Sequence, residues 1–400
     1  MSEARDEQTT VELAKGGEER IAWIRSRMGM LARTRKEFAE TKPFAGHTIG
    51  MSLHLEPKTA VLLETLVAGG AKIVATGNHG STQDDIVAAL RKQGMTVYGS
   101  HADSLEQHHR NLAAVLDAQP DILLDNGADL AAGVVARGAA KSVIGGTEET
   151  TSGGLRLRDE LLGRLPFPII VINDSLLKAI GENRHAVGQS VVESFMRITN
   201  LMVPGKHVVV VGYGWCGRGV AQYFRSLGAQ VTVVDLDVLK AFEAVLDGYR
   251  VTPIEDAAAW ADVIITATGQ PNVLSVQAFS KLRSGVVLAN CGHFPWEIDV
   301  KSLKAQASAV TNVDDTIERI EFGGDRHVIL IANGRMCNLA GKNPKGNSIE
   351  SMDIGFMLQA LCLEHVARSH DSVQPGAQGV PRKIEEEIAR RLLESLGVSR

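Results

Sequence analysis

The strongest constraint on the fold of this chain is a strand–turn–helix signature that begins with four consecutive valines, residues 208–211. Three glycines in the spacing G-x-G-x-x-G follow directly: Gly212, Gly214 and Gly217. A predicted helix and a second apolar strand come next, and that strand ends at Asp235. The glycines permit a tight turn, close approach of a pyrophosphate to the backbone, and packing of the helix on the strand. This arrangement predicts a dinucleotide site, and the carboxylate at 235 favours NAD over NADP because it repels a 2′-phosphate.

The same alternation of strands and helices is predicted along the rest of the chain. Apolar strand-length runs lie at residues 48–53, 72–76, 122–124, 169–172, 207–211, 230–234, 263–267, 286–289 and 328–331. Helix-length segments separate most of them, which predicts parallel sheets covered on both faces. Near the N-terminus, apolar residues at spacings of three and four predict one amphipathic helix around residues 21–31.

These patterns predict an α/β fold with two doubly wound domains, in keeping with a length of 400 residues. The predicted divisions are a larger substrate (catalytic) domain at 1–185, a Rossmann NAD-binding domain at 186–345, and C-terminal helices at 346–400. The C-terminal helices are expected to return to the substrate domain and to a subunit interface. Residues 351–368 are predicted as one long helix, and the Pro- and Gly-containing stretch 374–379 is interpreted as a linker.

Composition excludes several classes of protein. The chain has 42 Lys and Arg against 47 Asp and Glu, so it lacks the basic excess that neutralises a nucleic-acid backbone. No apolar run approaches the roughly 18 residues that span a bilayer, and the polar N-terminus lacks an apolar signal core. The four cysteines show no C-x-x-C spacing, so no metal site is expected. We therefore expect a cytoplasmic protein that acts on a small molecule.

An ordered series of motifs runs through most of the chain on both sides of the glycine turn. They are SLHLEPKTAVLLETL (52–66), STQDD (81–85), LLDNGADL (123–130), GGTEETTSGG (145–154), INDSLLKAIGEN (172–183), TATG (266–269), NCGHFPWEIDV (290–300) and NGRMCNLA (333–340). Together these motifs resemble the S-adenosyl-L-homocysteine hydrolase (adenosylhomocysteinase) family. The resemblance implies a nucleoside substrate in a cleft between the domains, and NAD as a recycled oxidant.

The implied chemistry follows from the acidity of a carbonyl compound. Oxidation of the 3′-hydroxyl to a ketone makes the C4′ proton removable, because the carbanion is delocalised as an enolate. The substituent on C5′ then departs by elimination, water adds to the enone, and the stored hydride returns to the ketone.

The resemblance also implies the catalytic positions, which are Lys178, His54, His293, Glu182 and Asn126. Lys178 matches a lysine that assists deprotonation of the 3′-hydroxyl. His54 matches a histidine near C5′ that acts as the acid for the leaving group. His293 matches a second such histidine near the edge of the cofactor domain.

Further positions are implied for the two ligands. Substrate binding is expected at Glu56, Lys58, Glu149, Asp125, Asn347 and Met352. Cofactor binding is expected at Thr150, Thr151, Ser152, Asn183, Gly212, Gly214, Trp215, Cys216, Gly217, Asp235, Thr268, Gly269, Gly292, His293 and Asn338. Among these, Glu149 matches a carboxylate that binds the ribose hydroxyls, and Asn338 matches an asparagine near the nicotinamide.

The chain departs from the family pattern at four places. Asn126 stands where the family has an aspartate that is a candidate acceptor of the C4′ proton, and an amide cannot take a proton. Glu182 replaces an aspartate, and residues 341–348 replace a Gly-His-Pro element that closes on the adenine. The chain also ends at Arg400, before a terminal segment that reaches the NAD of a neighbouring protomer, so weaker NAD retention is expected.

Three functions follow from this mixture of matches and departures. The first is dehydration of an adenine nucleoside to a 4′,5′-unsaturated product, as in decoyinine-type nucleoside antibiotics. The second is hydrolysis of S-adenosyl-L-homocysteine or S-inosyl-L-homocysteine. The third is a non-catalytic NAD-binding regulator, which the retention of Lys178 and His54 disfavours. The departures favour dehydration, in a homo-oligomer because the family is usually tetrameric.

Overall fold

The computed structural model describes residues 2–292 and 295–398. The strands are β1 (Thr48–Ser52), β2 (Lys72–Thr76), β3 (Thr96–Tyr98), β4 (Ile122–Asp125), β5 (Gly145–Glu148), β6 (Pro168–Val171), β7 (His207–Val211), β8 (Gln230–Val234), β9 (Arg250–Val251), β10 (Val263–Thr266), β11 (Val287–Asn290), β12 (Ala309–Asn312), β13 (Ile317–Glu321), β14 (His327–Ile331) and β15 (Gly376–Gly379). The α-helices are α1 (Ser2–Arg25), α2 (Gly29–Thr41), α3 (Pro57–Ala68), α4 (Asp84–Lys92), α5 (Leu105–Asp117), α6 (Asp129–Ala136), α7 (Thr151–Arg158), α8 (Val187–Thr199), α9 (Trp215–Ser226), α10 (Val238–Leu246), α11 (Ile254–Ala257), α12 (Val276–Phe279), α13 (Val300–Ala305), α14 (Ile349–Ser369) and α15 (Arg382–Ser395). A π-helix spans Lys178–Ala186.

The chain divides into two compact units. The first unit is Met1–Ala179 together with Met352–Arg400, and the second unit is Ile180–Ser351. The domain boundaries predicted from sequence fall after residues 185 and 345, and the ligand assigned to each domain stays a prediction.

The first unit is built on a parallel sheet in the order β3-β2-β1-β4-β5-β6-β15. Alternate residues of β6 face opposite apolar clusters, with Ile169 in one and Ile170 in the other. Burial of both faces explains why these strands appear in the sequence as continuous apolar runs. The chain proceeds from β1 outward to β3 and returns to β4 on the other side of β1. Ligands of open α/β sheets bind at such a switch point, beyond the carboxyl ends of the two strands.

The sheet of the second unit has the order β9-β8-β7-β10-β11-β14-β13-β12, and its first five strands repeat the order of β3-β2-β1-β4-β5. Val208 and Val210 of β7 belong to one apolar cluster, while Val209 and Val211 belong to the other, so this strand is also covered on both faces. The switch point of this unit lies between β7 and β10. Strand β13 runs antiparallel to both of its neighbours, β12 and β14, which makes the sheet mixed.

Three features differ from the sequence predictions. The stretch 374–379 is not a linker, because Gly376–Gly379 pairs in parallel with Pro168–Val171 through backbone groups that need no apolar side chains. The single helix predicted at residues 21–31 is two helices, interrupted by a turn between Arg25 and Gly29. Strands β12 and β13 were not predicted, since β12 is exposed along its whole length and β13 has a single buried residue, Ile320.

Candidate active site

The switch point of the first unit brings together two predicted catalytic residues. His54 follows β1 and Asn126 follows β4, and these two strands pair in parallel. His54 Nδ1 lies 2.7 Å from Ser81 Oγ. Asn126 is 3% exposed, and its amide nitrogen has no hydrogen-bond partner among the described residues. A buried donor of this kind suits a site that binds a polar ligand.

Two carboxylates lie side by side beneath this switch point. Asp125 of β4 is the register partner of Glu148 of β5, and both are fully buried. Burial raises the pKa of Asp125 to about 8, and the neighbouring Glu148 carboxylate adds to the effect. Burial likewise raises the pKa of Glu148. Two such carboxylates cannot both ionise freely, so the pair tends to hold a proton.

Glu148 holds the loops of the site in place. It accepts hydrogen bonds from the backbone N–H groups of Gly127 (2.9 Å), Ala128 (2.9 Å) and Thr150 (2.8 Å), and from the Thr150 hydroxyl (2.6 Å). A Cβ atom at Gly153 would lie 2.1 Å from the Glu148 carboxyl group, so glycine is required there. The turn that carries Asn126 and the loop that carries Thr150 therefore share one carboxylate.

Lys178 and Glu149 form a buried ion pair. Lys178 is 4% exposed and Glu149 is 7% exposed, and the lysine ammonium donates to Glu149 Oε1. The other oxygen, Glu149 Oε2, accepts from the side-chain amide of Gln359 on α14. Removal of one member of a buried pair is costly, because it leaves an uncompensated charge. The two residues predicted to contact the ribose are thus in direct contact in the first unit.

Two more predicted substrate residues lie at the start of α3, just beyond β1. Glu56 caps this helix by accepting from the backbone N–H of Lys58 at 3.2 Å. The ammonium of Lys58 lies 3.4 Å from Glu56 Oε2, and both side chains are mostly buried. Met352 is half-buried at the N-terminal part of α14.

The predicted cofactor residues of the first unit form the beginning of α7. Thr150 caps the helix by accepting from the backbone N–H of Gly153 at 3.0 Å. Its hydroxyl also lies 3.1 Å from that of Ser152. Thr151 is exposed, and its hydroxyl accepts from the Asn173 side chain at 2.7 Å.

The glycine turn of the second unit has the geometry that a dinucleotide requires. Gly212 has a φ of +101°, which favours glycine, and a Cβ at Gly217 would lie 1.9 Å from the Gly212 carbonyl oxygen. A Cβ at Gly214 would meet no atom within 4 Å, so this side of the turn is open to a ligand. No described side chain caps α9, whose first-turn N–H groups can bind a phosphate.

Asp235 directly follows β8, the strand next to this turn. Its carboxylate accepts from the backbone N–H of Tyr213 at 2.6 Å and from that of Asp237 at 2.9 Å. These bonds fix the carboxylate and leave lone pairs for the hydroxyls of a ribose. Trp215 and Cys216 form the first turn of α9, and both are half-buried. The residues of this turn thus fit NAD.

A second carboxylate holds the loops that follow β10 and β11. Glu297 is fully buried and accepts from the N–H and hydroxyl of Thr268 at 2.8 and 2.9 Å, and from the N–H of Gly269 at 2.7 Å. A Cβ at Gly292 would lie 1.6 Å from Glu297 Oε1. The Gly292 N–H donates to Asn290 Oδ1 at 2.7 Å.

The remaining predicted residues of the second unit surround α8. The Asn338 side chain donates to Ser190 Oγ at 3.2 Å, while its carbonyl oxygen is buried without a partner among the described residues. Such an orphaned acceptor suits the amide group of a nicotinamide. The Asn347 amide lies 3.5 Å from Glu182 Oε1, and Asn183 follows Glu182 in the π-helix.

His293 lies outside the described residues, so its predicted roles stay predictions. Within the ranges 2–292 and 295–398, histidine, cysteine and acidic side chains form no group of three that could hold a metal ion. None of the helices in the described part of the chain is long and apolar enough to cross a membrane.

Sequence reasoning missed four residues that position the predicted ones: Ser81, Glu148, Glu297 and Gln359. Ser81, Glu148 and Glu297 lie inside the family motifs, and this position was the sequence feature that could have identified them. No sequence feature could have identified Gln359, because it contacts Glu149 across 210 residues of sequence.

The two doubly wound sheets and the open glycine turn define a dinucleotide-binding α/β protein. In agreement, the structure is similar to that of a dipicolinate synthase chain from Bacillus halodurans, with a TM-score of 0.51 and 12% identity over 81% of this chain and 99% of that chain. This likeness shows the fold alone.

Sequence comparison identifies the family. Residues 183–343 match the profile described as "S-adenosyl-L-homocysteine hydrolase, NAD binding domain", and residues 8–142 match "S-adenosyl-L-homocysteine hydrolase". The S-inosyl-L-homocysteine hydrolase of Methanopyrus kandleri is 44% identical over 96% of this chain and 92% of its own length. The adenosylhomocysteinase of Thermococcus kodakarensis is 42% identical over 97% and 93%. The chain belongs to the S-adenosyl-L-homocysteine hydrolase family, and NAD is its cofactor.

Proposed function

We propose that this protein hydrolyses an S-nucleosyl-L-homocysteine, with adenine or hypoxanthine as the base, to the nucleoside and homocysteine. The observation that carries the proposal is the buried Lys178–Glu149–Gln359 cluster. A lysine and a carboxylate that are held together in a buried position are suited to binding the two hydroxyl groups of a sugar diol. The names of the relatives support hydrolysis over the dehydration that the sequence departures favoured.

The residues of the first unit divide the work as follows. Glu149 accepts hydrogen bonds from the ribose hydroxyls, and Gln359 keeps its carboxylate oriented. Lys178 takes the proton of the 3′-hydroxyl after it has passed its own ammonium proton to Glu149, with which it is paired. NAD, when bound, supplies the acceptor for the hydride of C3′. Once the C4′ proton has left the resulting ketone, the C5′–S bond breaks and His54 protonates the homocysteine sulfur; His54 later takes a proton from the water that adds at C5′.

The ion pair Glu56–Lys58 stands in the same loop region as His54 and offers the substrate both an acceptor and a donor. Adenine presents an amino group where hypoxanthine presents a carbonyl oxygen. Some relatives are named as hydrolases of the inosyl compound and others as adenosylhomocysteinases. The base that this protein accepts is therefore determined by comparing its activity on the two substrates.

The test is product analysis with purified protein, NAD, and S-adenosyl- or S-inosyl-L-homocysteine. We expect homocysteine thiol and the matching nucleoside in equal amounts. No homocysteine from either substrate would refute the proposal. The variant Lys178→Met should lose the NADH absorbance that appears when substrate is added, whereas the exposed Lys141→Met should keep it.

Because Lys178→Met leaves the buried Glu149 charge unpaired, the double variant Lys178→Met/Glu149→Gln serves as a folding control. A folded double variant that still forms NADH would remove the pair from the oxidation step.

Dehydration of a nucleoside is the second candidate, and Asn126 is the observation that favours it. Its buried amide replaces a carboxylate in the family pattern and cannot accept a proton. The same product analysis separates the candidates, because dehydration of adenosine gives a product lighter by one water.

A further inference from the structure

The loop that carries His54 is joined to the loop that follows β2. Strands β1 and β2 pair in parallel, so both loops leave the same edge of the sheet. Two backbone hydrogen bonds connect them, from Leu53 N–H to the Thr76 carbonyl at 3.3 Å and from Gln83 N–H to the Leu55 carbonyl at 2.9 Å. The second loop is therefore in a position to orient the imidazole of His54.

The sequence Asn-His-Gly-Ser at residues 78–81 forms a tight turn in that second loop. The Ser81 N–H donates to the Asn78 carbonyl oxygen at 3.1 Å, and Gly80 at the third position has a φ of +75°. A positive φ at this position is what glycine permits without steric cost. The turn brings the Ser81 side chain back over its first residue.

The Ser81 hydroxyl makes two hydrogen bonds, and it has only one proton to donate. It lies 3.0 Å from the Asn78 carbonyl oxygen, which can only accept. The hydroxyl proton is therefore used in this bond. It follows that the 2.7 Å contact with His54 is a hydrogen bond from Nδ1–H to the hydroxyl oxygen.

We propose that Ser81 is a positioning residue that keeps a proton on His54 Nδ1, so that only Nε2 exchanges protons with the substrate. The inference rests on the proposed function, which gives His54 its role. The C4′–H bond has already broken when the 3′-ketone became an enolate; in the elimination, the electron pair of this enolate forms the C4′–C5′ double bond, the C5′–S bond breaks, and the departing sulfur takes the proton of Nε2–H. In the hydration, neutral Nε2 takes a proton from water as the oxygen bonds to C5′. A proton on Nε2 of the neutral ring would block this second step.

The tautomer of the His54 imidazole can be measured without any assay of activity. In the full-length protein labelled with ¹⁵N-histidine, the His54 signals are identified as those lost in a His54→Asn variant. We expect Nδ1 to be the protonated nitrogen of the neutral ring. A neutral ring with its proton on Nε2 would overturn the inference, whatever reaction the protein catalyses.

The second test separates the steps of the reaction. Ser81→Ala should lower the rate of homocysteine release roughly five- to tenfold, the value of one hydrogen bond. NADH formation on adding substrate should change less than about twofold, because the 3′-oxidation does not use His54. Ser81→Thr, which keeps the hydroxyl, should release homocysteine at close to the wild-type rate.

The matched control is Ser142→Ala, since the exposed Ser142 makes the same kind of hydrogen bond, to the Ala139 carbonyl at 3.0 Å, but has no histidine partner. The inference would be overturned if Ser81→Ala slowed NADH formation as much as homocysteine release. It would also be overturned if Ser81→Thr slowed homocysteine release as much as Ser81→Ala does. Absence of homocysteine release from the wild-type protein would instead refute the proposed function, while the tautomer measurement still decides the role of Ser81.

Discussion

Replacement of Gly153 by alanine should destabilise the first unit, because Glu148 leaves no room for a methyl group. The added Cβ would lie 2.1 Å from the Glu148 carboxyl group, whereas ordinary contact begins at 3.4 Å. The carboxylate would have to move by more than about 1 Å. Its hydrogen bonds, now 2.6–2.9 Å long, would then exceed the length at which they contribute.

The expected loss combines two effects. Overpacking of a buried site costs about 1–3 kcal/mol, and each buried N–H left without an acceptor costs about 1–3 kcal/mol more. With one of the four bonds broken, Gly153→Ala should lower the free energy of unfolding by about 2–6 kcal/mol. Urea unfolding followed by circular dichroism measures this loss.

Hydrogen exchange locates the effect within the chain. The amides of Gly127 and Ala128 should exchange faster in Gly153→Ala than in wild type, since both donate to Glu148. The control is Gly29→Ala at the start of α2, where a Cβ meets no atom within 4 Å. This control should be unchanged or more stable by up to about 1 kcal/mol. A Gly153→Ala protein as stable as wild type, with unchanged exchange, would refute the reasoning.

Three further predictions concern charge, cofactor and substrate. Asp125 is protonated in the folded chain up to about pH 8 but ionised in the unfolded chain above about pH 4. As pH rises through this range, the free energy of unfolding of wild type should therefore fall relative to that of Asp125→Asn, by about 1.4 kcal/mol per pH unit. Urea unfolding at about pH 5.5 and 7.5 that gives the same change in the free energy of unfolding for both proteins would contradict this. Asp235→Asn should weaken NAD binding about ten- to a hundredfold, because hydrogen bonds to a charged acceptor contribute roughly 1.5–3 kcal/mol; calorimetry giving the wild-type Kd would exclude the assigned role. Gln359→Leu should slow substrate-dependent NADH formation at least about tenfold through loss of the bond to Glu149, and a wild-type rate in stopped-flow absorbance would remove Gln359 from the site.

The fold was predictable from the sequence wherever burial leaves a local pattern. The valines of β7 and the glycines after them predicted a Rossmann unit, and the structure confirms the α/β class with two doubly wound sheets. Pairing that depends on backbone groups alone leaves no such pattern. Strand β15 is a run of glycine, alanine and glutamine at the sheet edge, and β12 is exposed along its whole length.

The candidate site was predictable where its residues lie inside contiguous motifs. Lys178 and Glu149 were both singled out from sequence, and the structure shows that they are ion-paired. The partners that hold them could not be found in this way. Gln359 approaches Glu149 only because α14 packs in the first unit. Glu148 was not singled out because the family resemblance assigned a role to its neighbour Glu149 instead. Such contacts depend on tertiary packing, which no local spacing records.

The discontinuity of the first unit has a consequence for biosynthesis. The second unit is one continuous segment, Ile180–Ser351, which is synthesised before most of α14 and all of β15. It can therefore fold while the nascent first unit still lacks its last strand and the helix that carries Gln359. Until β15 has emerged from the ribosome, the edge of β6 that it covers is open to pairing with other chains.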